Sequence, residues 1–130
     1  MSATALAVQA TAVAGGAALG ALGRWSAGLW LNAAWPGFAL GTLAVNLLGG
    51  LLAGVAMQVF TREPEAFWRL LLVTGFLGGF TTFSAFSAES LWLLQRGAWA
   101  LAAWHTLAHV LGALACTAAG FMLARALLRG

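Results

Sequence analysis

The residue types best suited to chemistry cluster in one stretch, Gly75 to Glu89, which reads GFLGGFTTFSAFSAE. Thr81, Thr82, Ser84 and Ser87 supply hydroxyl donors, Phe80, Phe83 and Phe86 supply rings, and Glu89 closes the run with a carboxylate. Hydroxyls can stand in for the water around an ion, and the positive edge of a Phe ring can face an anion. Gly75, Gly78 and Gly79 precede these groups, and each glycine weakens a helix by roughly 1 kcal/mol relative to Ala. The composition predicts a helix broken near Gly78 and Gly79, with polar and aromatic side chains gathered around the break. A tightly packed helix crossing is the plainer alternative, because small residues also let membrane helices approach. An ionisable residue inside an apolar segment favours the ion pathway.

The elements that hold this stretch are long and apolar. Of 130 residues, 62% are hydrophobic and 7% charged, too little charge to cover a soluble domain of this size. Runs of about 20 apolar residues can each span a bilayer. Four are predicted, at about 3–22, 38–60, 67–94 and 98–128, forming one all-α transmembrane domain and leaving no room for a soluble catalytic unit. No Lys or Arg precedes Arg24, so the first run reads as a retained helix rather than a cleaved signal. Six arginines and no lysines, scattered at segment ends, are membrane anchors and not a nucleic-acid footprint. Cys116 stands alone, which excludes a disulfide framework within one chain.

Further candidates lie along the segments. Gly16 and Gly20 make a small-residue face with Gln9 and Ala12. Arg24, Trp25, Trp30, Asn32, Trp35 and Pro36 read as a short interfacial loop, with Arg24 either an anchor or a charge beside an anion vestibule. Thr42, Asn46, Gly50 and Gly54 share one face of the second segment, and the Asn46 carboxamide must find a partner there. Pro64 is predicted to start the third segment, and Glu65 to pair with Arg69. In the fourth segment His105, His109, Cys116 and Gly120 share a face. Two His at that spacing can chelate a metal, but no third ligand of clear spacing accompanies them, and a polar pore-side stripe is the preferred reading. Arg62, Arg69, Arg125 and Arg129 fall on one side and Arg24 and Arg96 on the other, a weak positive-inside bias, so the chain could insert both ways and pair with its inverted copy.

At these residues the chain resembles the CrcB/Fluc family of fluoride channels. The resemblance runs nearly the whole length: Gly15, Gly16, Gly20 and Arg24, then GTLAVNLLGG from Gly41 to Gly50, then GFLGGFTTFSAFSAE almost intact. It implies a fluoride-selective passive channel in the cell inner membrane that lowers cytoplasmic fluoride. The implied assembly is an antiparallel, dual-topology homodimer with two pores. A structural Na⁺ would be held at its centre by the backbone carbonyls of Gly78 and Thr81. Carried over by motif position, Asn46, Thr82, Phe83, Ser84 and Phe86 line the pathway, Glu89 lies near it, and Arg24 occupies the vestibule. One departure is plain: the family's fourth-helix Tyr and following Ser fall here at His105, His109 and Ala113, and the chain has no Tyr. His109 N–H could replace a hydroxyl, and its protonation would attract fluoride further, raising flux as pH falls. The altered track also fits pairing with a diverged second subunit. A proton-coupled small multidrug exporter would need a carboxylate in the first segment, which has none. A noncatalytic membrane scaffold would need neither Asn46 nor the hydroxyl–Phe block.

Overall fold

The computed structural model describes residues 1–61 and 66–129, all helical apart from short connections. The Pro64 helix start and the Glu65–Arg69 pair therefore lie outside the described residues. Helix α1 spans Ala3–Leu31 and begins at Ser2, whose hydroxyl accepts from the Ala5 N–H at 3.2 Å, satisfying one of the donors a helix start leaves bare. Helix α2 spans Leu40–Val59. The third span divides into α3, made of Ala66–Arg69, a π-helical stretch Leu70–Leu77 and a last turn Gly78–Phe80, and α4, Phe83–Gln95. Helix α5 spans Trp99–Arg129. Four stretches are long and apolar enough to cross a membrane: Ala3–Leu31, Leu40–Val59, Ala66–Gln95 and Trp99–Arg129.

One boundary differs clearly from the sequence-based reading. Helix α1 does not stop at Leu22. It carries Arg24, Trp25 and Trp30 inside its last turns, and the turn to α2 begins only at Asn32. Gly23 is tolerated because a single helical glycine costs only about 1 kcal/mol. Asn32 then ties the two helices together, its Oδ1 accepting the Gly41 N–H at 2.8 Å. The connection from α4 to α5 turns on Gly97, whose φ of 71° suits a residue without Cβ.

Two seams of small residues build the packing. Helix α1 lies on α3 through Ala12, Gly16 and Gly20, all buried. A Cβ on Gly20 would stand 2.1 Å from the Phe76 carbonyl oxygen, so only glycine permits this approach. Helix α2 lies on α5 in the same way, and a Cβ on Gly54 would stand 1.9 Å from the Thr117 carbonyl oxygen. Association of helices in lipid relies on such close van der Waals packing, because burial of apolar surface gains little there. Between the seams, Val45, Phe86, Leu93 and the two histidines make the interior, while Leu6, Trp104, Leu114 and many other large apolar side chains face outward.

Candidate functional site: a helix break between two clefts

The predicted break in the third span is present, and it falls at Thr81 and Thr82, just beyond Gly78 and Gly79. Both glycines are helical, whereas Thr81 and Thr82 are extended, with φ/ψ of −83/160° and −153/121°. Sequence reasoning assigned the break to the weakest helix formers. The structure uses Gly79 for packing instead: a Cβ there would meet the Ala17 carbonyl oxygen at 2.3 Å. Thr82 makes the break by capping α4, its hydroxyl accepting the Ala85 N–H at 3.1 Å, a role for which Thr is well suited.

Exposed backbone in an apolar layer needs partners. Asn46 of α2 supplies them. Its Oδ1 accepts the Thr82 N–H at 2.8 Å, and its Nδ2 donates to the Thr82 carbonyl at 3.0 Å. The same Nδ2 lies 3.0 Å from His109 Nδ1 on α5. Arg24 of α1 satisfies another carbonyl near the break, its Nε donating to Gly79 O at 3.0 Å. Thr81 folds back on α3, with both its N–H and its hydroxyl donating to Leu77 O.

Two clefts meet at Thr82. The first, of about 490 Å³, is lined by Asn46, Gly78, Thr81, Thr82, Phe83, Phe86 and His109 among others. It thus gathers most of the residues singled out from the sequence. Phe86 packs its ring 4.8 Å from that of His109 and 5.3 Å from that of His105. Phe83, 5.4 Å from Phe86, is 78% exposed. Ser84 sits at the edge of this group, its hydroxyl 3.3 Å from that of Thr82.

The second cleft, of about 510 Å³, holds Arg24, Asn32, Thr42, Thr82 and Glu89. Glu89 has a partner on each oxygen. Thr42 Oγ1 donates to Oε1 at 2.6 Å, and His105 Nε2 lies 3.0 Å from Oε2. His105 is fully buried, and its Nδ1 lies 2.9 Å from Ser90 Oγ. One ligand-type atom from each of Glu89, His105 and His109 falls within 4.8 Å of the others. The absence of a third ligand beside the two histidines, expected from spacing along α5, is therefore corrected: Glu89 arrives from α4 through tertiary packing. No periodicity within one helix could have signalled it. The motif position of Glu89 and the i, i+4 histidines were visible, but not their meeting.

These features define a multi-pass membrane protein in which a broken span brings neutral hydrogen-bonding groups and Phe rings to a cleft. Residues 11–121 match the family described as CrcB-like protein, Camphor Resistance (CrcB). The chain belongs to that family. It is 52% identical to the "Fluoride-specific ion channel FluC" of Bordetella petrii, over 98% of this chain and 99% of the relative. The protein of that name from Chromohalobacter salexigens is 49% identical, over 84% of each chain. The one from Escherichia coli O1:K1 is 43% identical, over 83% and 87%.

Proposed function

We propose that the chain is a fluoride-selective passive channel, and that fluoride passes along the first cleft. The observation that carries this reading is the Asn46–Thr82–His109 group beside Phe83 and Phe86. It is a cleft with neutral N–H and O–H groups and without a carboxylate among its described lining residues. Fluoride is small and strongly hydrated, so its path must offer donors that replace water. The Phe83 and Phe86 rings line the same cleft, and a Phe ring turned edge-on offers an anion weak positive potential and no competing lone pair. The names borne by the relatives point the same way.

Flux is passive and outward. Fluoride enters a cell as its neutral weak acid, dissociates in the more alkaline interior, and leaves through the channel as the anion. The protein works in the cell inner membrane, as an antiparallel pair of copies inserted in opposite senses. The exposure of Phe83 supports the pairing, since a ring that completes a pathway would gain its second wall from another chain. Among the described residues, no side chain or main-chain group across the break donates to the carbonyls of Gly78 and Thr81. Hard carbonyl oxygens suit a hard cation, so a Na⁺ held there fits these residues. When bound it supplies a positive charge that satisfies open backbone at the centre of the pair.

The test is fluoride efflux from liposomes holding the purified protein, with chloride as the comparison ion. Fast fluoride release with chloride retained is expected. Equal release of both anions, or of neither, would refute the reading.

A further inference from the structure

His109 carries a buried atom that this network leaves unused. Its ring is 4% exposed, and among the described residues Nε2 has no hydrogen-bond partner. The hydrogen-bond pattern shows what that atom is. A main-chain N–H can only donate and a main-chain carbonyl can only accept. The two contacts of Asn46 to Thr82 therefore fix which end of the carboxamide is oxygen and which is nitrogen. The nitrogen, Nδ2, faces His109 Nδ1 at 3.0 Å. An amide NH₂ donates and does not accept, so Nδ1 must offer its lone pair. A neutral imidazole with a bare Nδ1 carries its hydrogen on Nε2.

The orphan atom is thus a buried N–H donor on a residue that lines the first cleft. Leaving such a donor unpaired costs its full desolvation, a cost that an arriving acceptor would remove. Glu89, the nearby carboxylate, is engaged elsewhere: Thr42 and His105 hold its two oxygens. Phe86, whose ring centre lies 4.8 Å from that of His109, offers no lone pair in its plane.

We propose that His109 Nε2–H is an anion-binding donor of the first cleft, and that Asn46 is the positioning residue that sets its tautomer. The order runs from the backbone outward: the Thr82 peptide orients the Asn46 amide, the amide claims Nδ1, and the hydrogen is left on Nε2. The ligand is a small anion that accepts hydrogen bonds; fluoride is the case that rests on the channel reading above. The ring does this in its neutral form, so the donor does not wait for protonation. Glu89, His105 and His109 have the donor types of a His₂Glu zinc site, but in this tautomer the bare ring nitrogen of His109, Nδ1, is already taken by the Asn46 amide.

The experiment is nitrogen NMR on the full-length protein in lipid bilayers, with ¹⁵N-labelled histidine and His109 assigned by loss of its signals in His109→Gln. The expected spectrum shows a protonated Nε2 and a bare Nδ1, with the Nε2 signal shifting on addition of fluoride. In Asn46→Ala the tautomer preference should relax. Flux supplies the second arm. His109→Gln, whose amide nitrogen reaches as Nε2 does, should keep most of the wild-type fluoride flux. His109→Leu should lose roughly 10- to 100-fold, the scale of one hydrogen bond to a charged group. A bare Nε2 in the wild type, a His109→Leu variant as active as His109→Gln, or Zn²⁺ titrating the Nε2 signal would each overturn the proposal. The spectrum is read without any flux, so a wild type that fails to pass fluoride would refute the channel reading separately.

Discussion

The two clefts that meet at Thr82 are nearly equal in volume and opposite in character. The first has rings, hydroxyls, an amide and a neutral imidazole around it, and no formal charge among its lining residues. The second holds Arg24 and Glu89. The charges are not loose in it: Arg24 donates to a main-chain carbonyl, and both oxygens of Glu89 are engaged. The difference teaches where a selective anion path can afford charge. A fixed cation deep in the path would hold the anion, and a fixed carboxylate would repel it. Neutral donors satisfy the ion and still let it leave, which any conducting site requires. Charge belongs beside the break, where it collects ions or ties down backbone.

The comparison breaks most sharply at Asn46, the residue that faces Thr82 and His109 together. Asn46→Leu removes both hydrogen bonds to the Thr82 peptide, and two such bonds at about 1 kcal/mol each, plus a stranded main-chain N–H, predict a loss of fluoride flux on the order of 100-fold in liposome assays. Thr42→Val acts in the second cleft only. It frees Glu89 Oε1 from its 2.6 Å bond, leaving a less compensated negative charge near Thr82. Flux should fall roughly tenfold, the low end for one hydrogen bond to a charged group because the site is partly open, and Glu89→Gln in the same background should restore part of it. The smallest effect is expected at Arg24. Arg24→Gln should lower flux only a few-fold at low salt, and the deficit should shrink as ionic strength rises and the Debye length falls to about 10 Å at 0.1 M. A salt-independent loss would show instead that Arg24 acts by holding the Gly79 carbonyl. The seams can be tested apart from both clefts: Gly20→Ala pushes a methyl against the Phe76 carbonyl and should cost about 1–3 kcal/mol, read as a lower unfolding midpoint in detergent.

The sequence made the four spans legible, because apolar runs of this length have few other uses. It also made the interrupted third span legible, from glycines and hydroxyls in one stretch. The break falls a few residues past the glycines that announce it, for a physical reason. Glycine is both a helix weakener and a packing residue, and spacing alone does not tell which use is made. Gly79 serves the α1–α3 seam, while Thr82, an ordinary capping residue, makes the break. The end of α1 was misread, since Gly23 and Arg24 look like a stop but Asn32 is where the chain turns. The grouping of Asn46 with Thr82 and His109, and of Glu89 with His105, depends on how α2, α4 and α5 pack. No single-helix periodicity encodes it.

The central claim is that the first cleft is the fluoride path, and Phe83 tests it most directly. Its side chain is 78% exposed in the single chain, so Phe83→Ile should leave the fold of that chain intact. Fluoride efflux from liposomes would be measured for wild type and Phe83→Ile side by side, with folding checked by chromatography in detergent. The account predicts rapid, fluoride-selective efflux from wild type, abolished in a well-folded Phe83→Ile protein. Wild-type efflux left unchanged by the substitution would place the path elsewhere and contradict the account.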